Sequence, residues 1–229
     1  MQRTILITGA NGNLGQKVIQ KLSAEGHKII AMVGSGHLPE SLRQKALIQA
    51  HVDLFNEESA EAFVHSMIDQ YPQLDAAILL VGGFEIGTVE ATDEALLDKQ
   101  IALNFKTAWF VIKPLMTHFR KSKTGQFVLI CARPAINPEE GKNMVAYAIS
   151  KSMLISLAEI INAEGKKMGI TASVIIPSIL VTPPNRKAMP DADFERWVKP
   201  STIAETISFI LSDTGKALRQ PVFKVYHLS

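Results

Sequence analysis

Short apolar runs alternate with amphipathic stretches along the whole chain. Residues 4–8 and 28–33 are apolar and rich in β-branched side chains, which is typical of buried strands. Similar runs predict five more strands, at residues 46–53, 76–81, 127–131, 171–176 and 222–226. Because the strands alternate with helical stretches, the pattern predicts an α/β fold: a doubly wound parallel sheet (Rossmann fold) of about seven strands, with helices on both faces.

The stretches between these strands predict the helices. Apolar residues at helical spacing mark helices at residues 16–25, 38–45, 56–71, 93–121, 144–167 and 201–212. Residues 177–200 carry several prolines and are predicted to be irregular. No linker divides the chain, so we expect a single domain over residues 1–229. Residues 183–200 are expected to form a substrate lid, since loops of that length are usually lids or binding segments.

A glycine-rich turn follows the first strand and opens the first helix. Its sequence, Gly9-Ala10-Asn11-Gly12-Asn13-Leu14-Gly15, has the spacing G-x-x-G-x-x-G. Glycine permits positive φ and close approach of a ligand, and the free N–H groups of a helix N-terminus attract an anion. With its strand–turn–helix context, the turn predicts binding of a dinucleotide; the alternative is a tight turn that binds nothing. The predicted contacts are Thr8, Gly9, Asn11, Gly12, Asn13, Leu14 and Gly15.

The end of the second strand bears on the choice of cofactor. An acidic residue there would bind the adenosine ribose hydroxyls of NAD, whereas basic or small polar residues accept the additional phosphate of NADP. The stretch Met32-Val33-Gly34-Ser35-Gly36 contains neither an acid nor an arginine. We therefore expect NADP or NAD, with NADP slightly favoured.

Tyr147 and Lys151 are the candidate catalytic pair. Residues at i and i+4 share one face of a helix. A lysine ammonium beside a phenol favours the phenolate, so we expect Lys151 to lower the pKa of Tyr147. Such a tyrosine can transfer a proton beside a hydride transfer. The alternative is a surface pair that arose by chance.

Composition limits the other classes of function. The 229 residues carry a net charge of +2, which gives no electrostatic argument for nucleic acid or an acidic membrane as partner. Cys131 is the single cysteine, so no intrachain disulfide forms and a reducing compartment is indicated. We recognise no leader and no apolar run long enough to span a bilayer, and expect a cytoplasmic protein. The six histidines show no ligand spacing, so no metal site is expected.

Taken together, these residues resemble the short-chain dehydrogenase/reductase family. The resemblance rests on Thr8-Gly9 with the glycine turn, Asp53, Gly82-Gly83, Asn104, and Tyr147 with Lys151. It implies hydride transfer with a nicotinamide dinucleotide. Tyr147 is then the general acid, and Lys151 holds the nicotinamide ribose hydroxyls and polarises Tyr147. Asn104 keeps a helix kink and a water in the proton path.

The resemblance also implies further contacts and an assembly. Asp53 would face the adenine, and the implied cofactor contacts are Asp53, Leu54, Gly82, Gly83, Tyr147, Lys151, Pro177 and Thr182. Ser178 replaces a glycine of the family's turn after the sixth strand. In the family, the helices corresponding to residues 93–121 and 144–167 pair between subunits, which implies a homodimer or homotetramer.

Two departures from the family pattern point to one of its branches. Ala132 occupies the place of a serine that commonly binds the substrate carbonyl, and Gly82-Gly83-Phe84 replaces Asn-Ala-Gly. Both departures, and the segment at residues 182–197, resemble the dihydropteridine reductases. That branch's acidic NAD contact is missing here.

The branch implies a small conjugated acceptor, a quinonoid dihydropterin, that Tyr147 protonates. The candidate substrate contacts are Phe84, Ala132, Phe194 and Trp197; the alternative is that the aromatic residues only pin the loop to the core. Two other functions remain open. One is a general carbonyl reductase with another donor in place of the serine. The other is a cofactor-binding regulatory protein without turnover, which Ala132 favours and Tyr147, Lys151 and Asn104 oppose.

Overall fold

A computed structural model describes residues 2–219 and 222–229. Seven strands form one sheet in the order β3-β2-β1-β4-β5-β6-β7, and every neighbouring pair is parallel. The strands are β1 (Thr4–Thr8), β2 (Lys28–Val33), β3 (Ile48–His51), β4 (Leu74–Leu79), β5 (Gly125–Ile130), β6 (Ile170–Pro177) and β7 (Val222–Val225). The predicted parallel doubly wound sheet is confirmed.

Helices connect the strands and cover both faces of the sheet. They are α1 (Asn13–Ala24), α2 (Glu40–Arg43), α3 (Glu57–Gln70), α4 (Glu94–Ile101), α5 (Thr107–Ser122), α6 (Pro138–Gly141), α7 (Val145–Gly165), α8 (Pro183–Ala188) and α9 (Pro200–Leu211). Short 3₁₀ turns lie at Arg133–Ala135, Lys166–Met168, Phe194–Arg196 and Gly215–Ala217.

The alternation of side chains along β1 produces two cores. Ile5 and Ile7 are fully buried in the cluster with Val18 of α1 and Ile207 of α9, whereas Leu6 belongs to the cluster on the opposite face. That second cluster includes residues of α3, α5 and α7. Because consecutive strand residues point to opposite faces, a continuous apolar strand must be covered on both sides.

Several boundaries differ from the sequence prediction. Helix α1 begins at Asn13, three residues earlier than predicted, so the last part of the glycine-rich turn is already helical. Strand β4 ends at Leu79, and two further residues lead to Gly82. Residues 177–200 are not wholly irregular, since they contain the end of β6, helix α8 and a 3₁₀ turn.

The predicted helix at residues 93–121 is continuous but not uniform. Residues Ala102–Lys106, between α4 and α5, form a π-helical turn that contains the buried Asn104. Single π turns of this kind occur frequently at functional sites. The turn supplies the helix irregularity that the family resemblance implied near Asn104.

Helix α7 corrects one exclusion made from the sequence. By length and composition alone, residues Val145–Met168 could cross a membrane, which the sequence prediction had ruled out. In this structure α7 packs against the sheet beside β6 and buries Leu154, Leu157 and Ile161 in the core. It also buries the polar side chains of Lys151 and Asn162.

Candidate active site

The glycine turn is shaped for close approach of a ligand. Gly9 has a φ of +61°, and the N–H of Gly12 donates to its carbonyl oxygen at 3.0 Å. A Cβ on Gly15 would press on that same oxygen and lie 2.7 Å from the carbonyl oxygen of Ala10. The turn therefore accepts only glycine at this position without a shift of the backbone.

The N-terminus of α1 is free to bind an anion. Its cap residue is Gly12, which has no side chain to accept from the first N–H groups, and the first turn carries no acid. Uncapped N–H groups and the positive end of the helix dipole favour a phosphate at this point. The residues of this turn therefore fit the pyrophosphate of a dinucleotide.

Polar side chains fix the turn to the neighbouring strands. The hydroxyl of Thr8 accepts from the N–H of Leu80 at 3.0 Å, beyond the end of β4. The amide of Asn11 donates to the carbonyl oxygen of Ser35, in the loop after β2. These contacts align the turn with the strand ends on either side of β1.

Asp53 and Leu54 follow β3, and they differ in burial. Asp53 is exposed, and its Oδ1 accepts from the N–H of Phe55 at 2.9 Å. Leu54 is buried in the core. The predicted cofactor contacts of both residues stay predictions.

Lys151 and Asn104 converge on a gap beside Gly82. A Cβ on Gly82 would lie 2.7 Å from Lys151 Nζ and 2.8 Å from Asn104 Oδ1. Because glycine leaves this space open, an ammonium and an amide oxygen meet at the carboxyl edge of the sheet. The structure thus brings together three of the residues that the sequence proposed for one site.

Asn104 connects three elements around this gap. Its Oδ1 accepts from the N–H of Gly83 at 3.0 Å. Its Nδ2 lies 3.0 Å from Gly83 O, 3.0 Å from Gln100 Oε1 and 3.1 Å from Ser150 Oγ. Gln100 and Ser150 were not identified from the sequence. A signal was available, since Gln100 lies four residues before Asn104 on the same helix face and Ser150 lies beside Lys151.

Lys151 is buried, with 5% of its surface exposed. Its Nζ donates to the carbonyl oxygen of Ile130 at 2.9 Å, at the end of β5. Burial lowers the pKa of Lys151 to about 8, although the nearby Cys131 acts to raise it. At neutral pH the side chain is still mainly cationic. Burial of this charge away from water costs free energy.

The pKa of Tyr147 departs from the sequence expectation. Burial, with a smaller contribution from Cys131, raises the pKa of Tyr147 above its ordinary value. Lys151 was expected to lower this pKa, but here its ammonium is bonded to the backbone of Ile130, and desolvation of the phenol dominates. Tyr147 therefore holds its proton firmly at neutral pH.

Phe84 lies beside Tyr147. The centroids of the two rings are 6.0 Å apart and the rings are tilted by 58°. Phe84 is 53% exposed, so much of its ring faces solvent next to the phenol. This position suits the predicted role of Phe84 as a wall of the substrate site, and the role stays a prediction.

Ala132 and Cys131 follow β5 next to Lys151. Both are buried, and the Sγ of Cys131 lies 3.3 Å from the carbonyl oxygen of Lys151. Burial raises the pKa of the Cys131 thiol, so it stays neutral and belongs to the core cluster. The methyl group of Ala132 supplies no hydrogen-bond donor at this position.

The polar groups of the turn after β6 make hydrogen bonds to neighbouring backbone. Pro177 is the buried last residue of β6, and the N–H of Ser178 donates to the carbonyl oxygen of Val225 at 3.0 Å. The hydroxyl of Thr182 accepts from the N–H of Asn185 at 3.4 Å and so caps α8. The predicted cofactor contacts of Pro177 and Thr182 stay predictions.

The aromatic residues of the expected lid pack on one another. Phe194 and Trp197 form an edge-to-face pair with centroids 4.8 Å apart, and the Arg186 guanidinium lies 4.7 Å from the Phe194 centroid. Trp197 is only 4% exposed. This arrangement is the one expected of residues that pin the loop, and the substrate contacts of Phe194 and Trp197 stay predictions.

Within residues 2–219 and 222–229 we find no cluster of three or more histidine, cysteine, aspartate or glutamate side chains that would hold a metal ion.

Comparisons with known proteins define the class. The family model described as short chain dehydrogenase matches residues 3–193. The chain belongs to the short-chain dehydrogenase family, and it is an NAD(P)-dependent oxidoreductase of that family. The resemblance seen in the sequence is thereby confirmed.

Individual relatives are distant. An acetoacetyl-CoA reductase from Acinetobacter sp. (strain RA3849) is 25% identical over 234 residues, covering 93% of this chain and 92% of the relative. A dihydropteridine reductase from Dictyostelium discoideum is 25% identical over 214 residues, covering 90% and 87%. Among solved structures, "ElxO with NADP Bound" matches with a TM-score of 0.88 at 18% identity, covering 98% of this chain and 97% of that one. That likeness concerns the fold.

Proposed function

We propose that the protein is an NAD(P)H-dependent reductase of a small conjugated acceptor, with Tyr147 as general acid. The observation that carries this proposal is the convergence of Lys151 Nζ and Asn104 Oδ1 on the space beside Gly82. Tyr147 lies one helical turn before Lys151 on α7, so its phenol shares the face of the helix that carries the ammonium.

The residues at the sheet edge fit a nicotinamide dinucleotide. The glycine turn and the uncapped N-terminus of α1 would hold the pyrophosphate, and Lys151 would hold the nicotinamide ribose hydroxyls. When bound, the reduced cofactor supplies a hydride. Because no acid follows β2, we expect NADPH to be used at least as well as NADH.

The chain itself supplies the proton and positions its donor. The phenol of Tyr147 is protonated at neutral pH and so has a proton to give, although burial raises its pKa and makes it a weaker acid than a free tyrosine. Lys151 lies one helical turn away on the same face of α7, with its ammonium bonded to the carbonyl oxygen of Ile130. Asn104 keeps its helix joined to α7 through Ser150, so the two helices hold the site together.

The shape of the site favours a flat acceptor. Ala132 offers no donor to a lone carbonyl, whereas the exposed face of Phe84 beside Tyr147 suits stacking on a conjugated ring. A quinonoid dihydropterin is such an acceptor. This choice rests on the site residues, since the dihydropteridine reductase of Dictyostelium discoideum is only 25% identical to this chain.

A second candidate is a general carbonyl reductase. The acetoacetyl-CoA reductase of Acinetobacter has the same identity to this chain, 25%, over a somewhat longer alignment. Such an enzyme would need a donor other than Ala132 for the substrate carbonyl.

For either function, the cytoplasmic location and the homodimer or homotetramer inferred from the family stay part of the proposal.

Steady-state oxidation of NADPH and NADH separates these functions. The assay uses quinonoid dihydropterin alongside a panel of aldehydes, ketones and a 3-oxoacyl thioester. We expect the dihydropterin to give the highest kcat/KM. Highest activity on a carbonyl compound would select the second candidate. Cofactor binding without turnover on any acceptor would contradict both and favour a regulatory protein.

A further inference from the structure

An arginine and a glutamate form a pair in the segment that follows Ala132. Arg133 opens the 3₁₀ turn after β5, and its Nη2 donates to Oε1 of Glu140 in α6. The guanidinium also lies over the ring of Tyr226, 4.8 Å from its centroid. Tyr226 directly follows β7 and packs against the core cluster that contains Cys131. The reaction proposed above gives this pair no part.

The pair lies at the edge of the sheet where Tyr147 lies. Parallel strands place the segments after their carboxyl ends at one edge, where ligands of such sheets bind. The 3₁₀ turn packs against both α6 and α7. A Cβ on Gly141 would lie 2.9 Å from Pro134 O and 3.2 Å from the Cβ of Ala148, the residue after Tyr147. The turn and α6 therefore pack against the start of α7, beside the proposed acid.

Both partners keep hydrogen-bonding groups for a ligand. A guanidinium has five N–H donors, and across residues 2–219 and 222–229 the structure pairs one of those of Arg133. Asn137 Nδ2 donates to Oε1 of Glu140 at 3.0 Å, and Arg133 donates to the same oxygen. Oε2 of Glu140 accepts no hydrogen bond from the described residues. The side chains of Arg133 and Glu140 are 25% and 34% exposed, so a ligand can reach both.

The free groups place a donor beside an acceptor. Arg133 offers N–H groups to an oxygen atom, and the carboxylate of Glu140 accepts from a nitrogen that bears hydrogen. The pyrimidine half of a pterin has the complementary edge, since it carries an oxo group at C4 near an amino group at C2. The methyl group of Ala132 can make neither contact.

We propose that Arg133 and Glu140 recognise this edge of the acceptor, Arg133 at the C4 oxo group and Glu140 at the nitrogen on C2. The inference rests on the proposed reduction of a small conjugated acceptor, and it names the part of that acceptor that determines specificity. Tyr226 and Asn137 hold the pair in place through the contacts described above. The pair binds the acceptor and transfers no proton, so Tyr147 stays the acid.

Two matched ligands test this assignment by binding alone. 7,8-Dihydropterin carries an amino group at C2 and 7,8-dihydrolumazine an oxo group, whereas both carry the oxo group at C4. Each is titrated calorimetrically into the parent, Arg133→Met and Glu140→Gln with saturating NADP⁺ or NAD⁺ present. Glu40→Gln and Arg43→Met, which remove a similar ion pair from α2, are the matched controls. Parental affinity for the dinucleotide shows that a variant is folded.

We expect the parent to bind 7,8-dihydropterin about tenfold or more tightly than 7,8-dihydrolumazine, because the oxo group at C2 would face a carboxylate. Glu140→Gln should reverse this order. Arg133 and Asn137 would hold the amide oxygen in the place of Oε1, which leaves the amide nitrogen to donate to the oxo group. Arg133→Met should weaken both ligands by about tenfold or more, and the α2 controls should match the parent.

A purely structural role of the pair gives a different result. Both variants would then weaken the two ligands equally and leave the preference between them unchanged. A folded Glu140→Gln variant with the parental preference therefore overturns the assignment, and so does Arg133→Met with parental affinity for both ligands. Glu140→Gln keeps the shape of the pair, so this test stands even if Arg133→Met does not fold.

Two results with the parent separate this inference from the proposed function. A parent that reduces quinonoid dihydropterin but binds the two ligands equally contradicts the specificity assignment and leaves the proposed function standing. A parent that reduces no dihydropterin and binds neither ligand contradicts both.

Discussion

Lys151 Nζ donates to the carbonyl oxygen of Ile130 at 2.9 Å, so a buried ammonium on α7 is held by the last residue of β5. The partner is neutral, and it does not compensate the charge as a carboxylate would. This single bond positions the lysine but leaves most of the cost of desolvation in place, which is why its pKa is low.

The first prediction concerns stability against pH. The folded pKa of Lys151 is about 8, and the unfolded value is 10.5. Between these values the unfolded chain binds more protons, so this residue makes the free energy of unfolding rise with pH. The gain is on the order of 3 kcal/mol over the whole interval.

Chemical denaturation of the parent and Lys151→Met at several pH values from 7 to 10 measures this term. The difference in unfolding free energy between parent and Lys151→Met should shift in favour of the parent as the pH rises. Because both proteins contain the other titrating groups, the contributions of those groups cancel in this difference. Lys167→Met, at an exposed lysine, should show no such trend. A pH-independent difference between parent and Lys151→Met would contradict the prediction.

The second prediction concerns Tyr147. Replacement by phenylalanine removes the transferable proton and keeps the ring beside Phe84. General acid catalysis typically contributes about 10²–10⁴-fold, so kcat should fall by roughly that factor. Affinity for NADPH, measured by fluorescence titration, should stay within about threefold of the parent.

Tyr71→Phe is the matched control for this substitution, because Tyr71 lies at the end of α3, outside the proposed site. A Tyr147→Phe, Lys151→Ala double variant that reduces every accepted substrate at the parent rate would show that this face of α7 is not the active site.

The third prediction concerns Gly15. Its Cβ would lie 2.7 Å from the carbonyl oxygen of Ala10, so Gly15→Ala must displace the turn that approaches the cofactor. We expect a loss of stability of about 1–3 kcal/mol and weaker binding of both NADPH and NADH. Calorimetric titration and thermal unfolding measure the two effects.

Gly34→Ala provides the comparison for stability alone, since a Cβ at Gly34 would meet no atom within 4 Å. A folded Gly15→Ala variant with parental affinity for both dinucleotides would remove the glycine turn from the cofactor site.

The fourth prediction concerns Ala132. Ala132→Ser adds a hydroxyl donor at the end of β5, next to Cys131. A hydrogen bond to a carbonyl oxygen contributes about 1 kcal/mol, so kcat/KM on simple ketones should rise by up to about tenfold. Reduction of quinonoid dihydropterin should not need the serine and should change little.

Ala135→Ser introduces the same group three residues further on and should leave both activities unchanged. If a folded Ala132→Ser variant reduces simple ketones with the same kcat/KM as the parent, the place assigned to Ala132 beside the substrate carbonyl is wrong.

Features encoded in local sequence were predicted well, and those that depend on packing were not. The glycine turn needs only a strand, three glycines and a helix, all visible between Thr4 and Ala24. The pKa of Tyr147 could not be obtained this way. The i, i+4 spacing places Lys151 nearby, but burial of the phenol and the bond to Ile130 depend on β5, which is distant in sequence.

The predicted boundaries of the third strand were wrong for a similar reason. The third strand was predicted at residues 46–53, but pairing with β2 holds only Ile48–His51. The buried Val52 and Leu54 carry the apolar pattern past the end of the strand, because they belong to the core without belonging to the sheet. Trp197 is a comparable case, since no periodicity in the segment indicated that its ring is buried.

The π turn at Ala102–Lys106 makes the site sensitive to the number of residues between α4 and α5. A π turn accommodates one residue more than the α-helix around it, and each residue turns a helix by about 100°. Deletion of one residue there would restore regular α-helix and rotate Asn104 away from Gly83 and Ser150. Single-residue deletions, usually tolerated in loops, should therefore inactivate this enzyme when they fall in the middle of a well-formed helix.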